Sequence, residues 1–169
     1  MKTHRGFFGF VLNNHYKVIS IELGAEPKLL GKLLVAFIRN VNYQSSWDLI
    51  KQRMSQIYFD DVCLIKPQTF LDQLLTTSDL LGVPNGLSSA MDSEHTDFGY
   101  VLNLDSKRLE LYSGNQRNPT PFNPFGTKQY TTGYYPCNKI GEFSFLTVLI
   151  KDIEAQFQFD AYDDPDMHC

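Results

Sequence analysis

At 169 residues the chain fits one domain, long enough to bury roughly 70% of the surface its unfolded form would expose. A formal net charge of -4 with scattered Lys and Arg argues against the basic stripe that extended nucleic acid requires, and no run approaches the roughly 20 apolar residues of a membrane span. Hydrophobic residues at 43%, charged residues at 20% and aromatics at 14% describe a folded, strand-rich body.

Cys63, Cys137 and Cys169 give an odd count at wide spacing, neither a disulfide framework nor a zinc pattern. Cys63 and Cys137 lie among apolar residues with no base beside them, so both read as small core residues rather than nucleophiles. The first apolar run ends at Leu12, too short and too aromatic for a signal-peptide core. A cytoplasmic protein without a membrane partner is expected.

Residues 6 to 21 carry the pattern of a hairpin turning at Asn13-Asn14, since Asn tolerates positive φ. That turn pairs Leu12 with His15, Phe10 with Lys17 and Phe8 with Ile19, which leaves apolar groups on both faces. The ribbon therefore belongs inside a sheet covered at least in part on each side. Pro27 suits the first turn of a helix, and Leu29, Leu30, Leu33, Leu34, Phe37 and Ile38 form its single apolar face. A second helix begins near Ser45-Ser46, with Asp48 placed as in a capping box and Trp47, Ile50, Met54 and Ile57 as the inner stripe.

Residues 59 to 65 suit a short strand or a buried connection, and Pro67 opens a third helix with Phe70, Leu71, Leu74 and Leu75 inward. Pro84-Asn85-Gly86 is a turn, and residues 87 to 97 have the polar content of a surface connection. The clearest pattern follows. Phe98, Tyr100, Leu102 and Leu104 share one side of an extended chain, Asp105-Ser106-Lys107 turns it, and Leu109 and Leu111 alternate with Arg108, Glu110 and Tyr112.

Residues 113 to 133 then run without periodicity, with Pro119, Pro121 and Pro124 and exposed-looking Phe122, Phe125 and Tyr130. Long irregular loops are usually functional or disordered, so this is the expected binding surface, continued by Tyr134 and Tyr135. A strand through residues 140 to 145 and a last helix striped by Leu146, Leu149, Ile150, Ile153 and Phe157 complete the body. Strands joined mostly as hairpins predict an α+β fold, a mainly antiparallel sheet with three to four helices packed on it. Residues 1 to 158 form the domain and 159 to 169 an acidic, flexible tail, read so in preference to a weak cation site at Asp163 to His168.

No phosphate loop, nucleophile elbow or metal spacing occurs, so no cofactor, metal or catalytic residue is expected. His4 and Arg5 are candidates for an anion-binding corner, with a solvated terminus and an edge salt bridge as the plainer alternative.

Three blocks resemble a known group. Thr3-His4-Arg5-Gly6-Phe7-Phe8-Gly9-Phe10-Val11, Tyr100 to Asp105 with Leu109 to Gly114, and Tyr134-Tyr135-Pro136-Cys137 are similar to a family of small uncharacterised proteins encoded mainly by bacteriophages and bacteria. Its members begin Thr-Arg-Gly and carry a Tyr-x-x-x-Leu-Asp hairpin followed by Leu-Glu-Val-Tyr-x-Gly. Residues 20 to 31 keep that family's Pro and final Gly but lack the His, Asp and Tyr of its polar run, so any site formed there is altered here. The resemblance implies a fold and a phage or bacterial origin, and no activity.

The leading expectation is a non-catalytic binding protein, phage or mobile-element encoded, that sequesters or inhibits a host component, either a protein or a small anionic nucleotide signal, through the 113 to 133 loop and the adjacent sheet edge. A competing reading is a small hydrolase or nucleotide-handling enzyme gathering His4, Arg5, Glu22 and Tyr135 in a concave pocket. A third is an assembly component that forms a homo-oligomer through an open sheet edge.

Overall fold

The computed structural model describes residues 4–60, 66–76 and 82–162. Strands β1 (Gly6–Leu12) and β2 (His15–Ile21) form the first hairpin, and β5 (Phe98–Asn103) and β6 (Arg108–Ser113) the second. Between them lie α1 (Lys32–Gln44), α2 (Trp47–Gln56), two-residue strands β3 (Tyr58–Phe59) and β4 (Gly82–Val83), α3 (Pro67–Thr76) and α4 (Leu87–Met91). Strand β7 (Asn138–Ser144) and helix α5 (Ile150–Tyr162) follow. The main sheet runs β2-β1-β5-β6-β7. It is a mixed α and β fold with a mainly antiparallel five-stranded sheet and five α-helices among the described residues, one more than the upper expectation.

Both hairpins keep the registers their patterns dictate. Leu12 pairs with His15, Phe10 with Lys17 and Phe8 with Ile19 across a turn whose Asn13 and Asn14 have φ of 52° and 63°. Tyr100 pairs with Leu111 and Leu102 with Leu109. The one parallel pair in this sheet, β1 with β5, sets the hairpins side by side. Asp105 joins their turns, because its two carboxylate oxygens accept from Asn13 N at 2.9 Å and Asn14 N at 3.0 Å. Those N–H groups hold its carboxyl below the usual range.

The alternation of β1 splits the core. Phe8 and Phe10 enter the larger layer, where α1, α2, α3 and α5 cover one face of the sheet. Phe7 and Val11 enter the smaller layer with Val18, Ala90, Val101, Tyr112, Phe125 and Cys137. Phe7 lies directly over Gly99, where a Cβ would meet its ring at 2.3 Å, and so reaches Tyr112 and Phe125. This second face is roofed by α4 and the long loop rather than by a long helix.

Several local expectations change. Pro27 opens a π-helical turn (Pro27–Gly31) ahead of α1, and Leu29 is exposed while Leu30, Leu34, Phe37 and Ile38 are buried. No capping box forms at α2, because Ser45 is left-handed at φ 52° and ends α1, and Ser46 makes no side-chain cap. Its inner stripe holds, and Lys17 Nζ donates to the terminal carbonyls of Met54 and Ile57, a favourable place for a cation. Residues 87 to 97 are not a mere surface connection, since Ala90, Ser93 and Thr96 are buried. Leu146 and Leu149 lie outside α5 and are exposed. Cys63, Cys169 and residues 163–169 of the acidic tail fall outside the described residues.

Both sheet edges are blunted against strand addition. Gly86 N donates to Val18 O on the β2 side, and β7 carries a bulge at Ile140 and the exposed Lys139. No helix among the described residues is long and apolar enough to cross a membrane.

Candidate functional site

The segment from Ser113 to Cys137 is irregular yet heavily tied. Asn115 N donates to Ser93 O at 2.7 Å, Tyr135 N to Gln116 O at 2.9 Å and Cys137 N to Ala90 O at 2.8 Å. Ser93, fully buried, donates through Oγ to Tyr135 O and accepts from Gln116 N. Within it, Asn123 is a clamp: its Nδ2 donates to Cys137 O at 2.8 Å and its Oδ1 accepts from Phe125 N at 2.9 Å.

That clamp separates two phenylalanines that look alike in sequence. Phe125, expected to be exposed, is buried, with its ring 5.7 Å from Phe7, 5.3 Å from Tyr16 and 5.1 Å from Tyr112. Phe122 is fully exposed at φ 57°, the only apolar non-glycine residue at positive φ among the described residues. Phe122 overhangs a cavity of about 330 Å³ that reaches down to Tyr16, Glu110, Tyr112 and Lys139.

Beneath Phe122 lies a charged network that the sequence reading missed. Glu110, 4% exposed, accepts from Tyr112 Oη at 2.9 Å, Asn103 Nδ2 at 3.3 Å and Lys139 Nζ at 3.4 Å. The β7 bulge turns Lys139 and Glu142 to the same face, where they meet at 2.7 Å, and Arg108 closes the chain on Glu142 at 3.3 Å. Burial and the nearby Glu110 charge push the Tyr112 phenol far up, and burial with the same charge raises Tyr16. Burial works to lower the Lys139 ammonium, but its bond to Glu142 and the attraction of Glu110 and Glu142 hold it above its ordinary value. The Lys139 bond in turn lowers Glu142. The two acids and two bases neutralise one another, and Glu110 has its oxygens supplied with donors. Such a network holds a buried charge in place and offers no free base.

The missed signal was present. Arg108, Glu110 and Tyr112 alternate with core leucines, which alone suggests a solvated face; the apolar groups on both faces of β1 indicate that this face is covered too.

At the opposite end of the second face lies a cavity of about 220 Å³ lined by Arg5, Glu22, Ser88, Asp92, His95 and Tyr130, among others. Arg5 Nε approaches Glu22 Oε2 at 3.8 Å. His4 does not line it: its ring packs on Phe98 and Nδ1 faces Asp97 at 3.7 Å. Tyr135 is held by its main chain, and Tyr134 accepts from Arg117 Nη2 at 2.8 Å with the guanidinium over its ring. The tetrad His4, Arg5, Glu22 and Tyr135 is therefore not assembled, although Arg5 and Glu22 do share a concavity, joined by Tyr130. Cys137 is buried against Ser89 O and burial drives its thiol upward, the opposite of what a nucleophile needs. No group of His, Cys, Asp and Glu with metal-holding geometry occurs among the described residues.

No protein-family model, curated protein or solved structure matches the chain.

Proposed function

We propose that this is a non-catalytic binding protein that engages a partner protein through the 113–133 loop, with Phe122 as the inserted anchor. In the phage or mobile-element setting that the family resemblance implies, the partner is a host protein that the chain blocks or sequesters.

One observation carries this reading: a fully exposed phenylalanine is held in left-handed backbone next to a clamped and buried Phe125. The left-handed conformation costs an L-residue roughly 1–2 kcal/mol, and an exposed ring returns nothing to the fold. The ties at Asn123, Phe125 and Gly126 hold the backbone that follows Phe122, and a pre-set backbone lowers the ordering cost of association. Pro121 and Pro124, both exposed, stiffen the same tip. The internally neutralised Glu110 network supports a binding role over acid–base chemistry. The blunted edges favour the loop over main-chain pairing, and so weigh against an assembly built by strand addition.

Affinity capture from host lysate, compared across wild type, Phe122→Asp and Leu23→Asp, tests the proposal. Leu23 is 72% exposed and lies outside the loop. A partner held by wild type and Leu23→Asp but lost from Phe122→Asp supports it, and equal retention by all three overturns it.

A further inference from the structure

We infer that the cavity bordered by Arg5, Asp92 and Tyr130 binds the vicinal diol of a sugar ring. The inference rests on hydrogen-bonding capacity that the fold does not use, in contrast with the saturated network around Glu110.

Asp92 is held by one oxygen only. Its Oδ1 accepts from Thr132 Oγ1 at 2.8 Å and Glu94 N at 3.2 Å. Asp92 lines the cavity, and its Oδ2 has no protein donor among the described residues, so that oxygen is open to a ligand donor. Arg5 Nε lies 3.8 Å from Glu22 Oε2, and its guanidinium donates no hydrogen bond to protein among the described residues. Ser20 Oγ and Ser89 Oγ share one hydrogen bond at 2.6 Å and Thr96 Oγ1 donates to Ser89 O, so these form a polar, partly occupied wall. Tyr130, 40% exposed, lines the cavity, and its backbone N–H donates to Tyr134 O.

The charges select among ligand classes. A phosphate or other compact anion would gain Arg5 and His95 but face the carboxylates of Glu22 and Asp92, and a compact cation would gain those carboxylates but face Arg5. A neutral diol avoids both penalties. Its hydroxyls donate to the carboxylate, as ribose hydroxyls do to an acidic residue in dinucleotide sites, and its oxygens accept from the guanidinium fork. The C–H face of the ring can then lie on Tyr130, whose aromatic body and polar tip suit an amphipathic ligand. A volume of about 220 Å³ is enough for one such ring. The diol can belong to a free saccharide or to the ribose of a nucleoside.

Amide chemical-shift titration of the full chain distinguishes these sources, using methyl α-D-mannoside, adenosine and 2′,3′-dideoxyadenosine as probes. The expected result is saturable shifts at Arg5, Asp92 and Tyr130 with the mannoside or with adenosine. The one that binds identifies a saccharide or a ribose ligand. Asp92→Asn, which retains the Oδ1 contacts and whose spectrum verifies folding, should weaken binding about tenfold or more. The inference is overturned if neither diol shifts these amides up to about 20 mM, well above a Kd of about 1 mM. It is equally overturned if dideoxyadenosine matches the affinity of whichever diol binds, or if Asp92→Asn leaves that affinity unchanged.

Discussion

Replacing Phe125 by alanine removes the ring that fastens the loop to the second face of the sheet. That ring is 6% exposed and contacts Phe7, Tyr16 and Tyr112 at centroid distances of 5.7, 5.3 and 5.1 Å. An aromatic side chain buries about 150–250 Å², which at about 25 cal/mol per Å² corresponds to roughly 4–6 kcal/mol, while measured Phe-to-Ala costs in cores are about 3–5 kcal/mol. A loop can relax into the space more easily than a helix or strand, which places the expected loss near the lower end, about 3 kcal/mol. For a chain of this size the loss corresponds to a fall in Tm of about 6–12 °C. Differential scanning calorimetry supplies the primary readout, and amide exchange at Gly126, whose N–H donates to Asn123 O, reports on the loop itself. A Tm within about 2 °C of wild type, with unchanged exchange at Gly126, would refute the claim that Phe125 pins the loop and with it the set backbone beside Phe122.

Three further outcomes follow from the same contacts. Tyr100 and Tyr112 are fully buried and their phenols are raised above the ordinary 10.0. The native state keeps those protons while the unfolded state loses them, so stability is complete below about pH 10 and falls above it by about 1.4 kcal/mol per pH unit for each phenol; absorbance at the phenolate band should rise for these residues only with unfolding, and ionisation in the native state would contradict the burial. Asp105→Ala unties the two hairpin turns and should lower Tm by about 2–4 °C, as expected for exposed hydrogen bonds to a charged acceptor, and because its carboxyl is held below 3.8 the wild-type advantage persists above about pH 4 and disappears as pH falls through the folded value. Gly114→Ala places a Cβ 1.6 Å from Thr96 O; since backbone must move to admit it, a loss of about 10 °C or more in Tm is expected, and a neutral result would show that the Ser93 to Asn115 junction is not close-packed.

What could be read from the sequence was local. Asn13-Asn14 between apolar runs specifies a two-residue turn, and through it the whole β1–β2 register. Leu109 and Leu111 against Tyr100 and Leu102 specify the second hairpin in the same way. The parallel pairing of β1 with β5 carries no such signal, because it joins residues about ninety positions apart through backbone bonds any strand can make. Phe122 and Phe125 share a Pro-rich loop and cannot be told apart by composition; their fates are decided by Asn123, whose amide reaches Cys137 fourteen positions away. Ser45 and Asp48 fit a capping box in spacing, yet the turn from α1 into α2 needs Ser45 itself at positive φ, a conformation that a helix N-cap does not adopt. Glu110 was masked by its exposed-looking alternation, and the bulge that brings Lys139 and Glu142 to it has no marker in the strand pattern.

The central claim concerns which surface meets the partner, and site-specific photo-cross-linking tests it most directly. A photoreactive phenylalanine analogue is installed at Phe122 in one sample and at Tyr43, 91% exposed on α1, in another. Irradiation in host cells is predicted to give one dominant protein adduct from position 122, with position 43 giving none to that protein. The same adduct from both positions, or none from position 122, would contradict the assignment of the loop as the recognition surface.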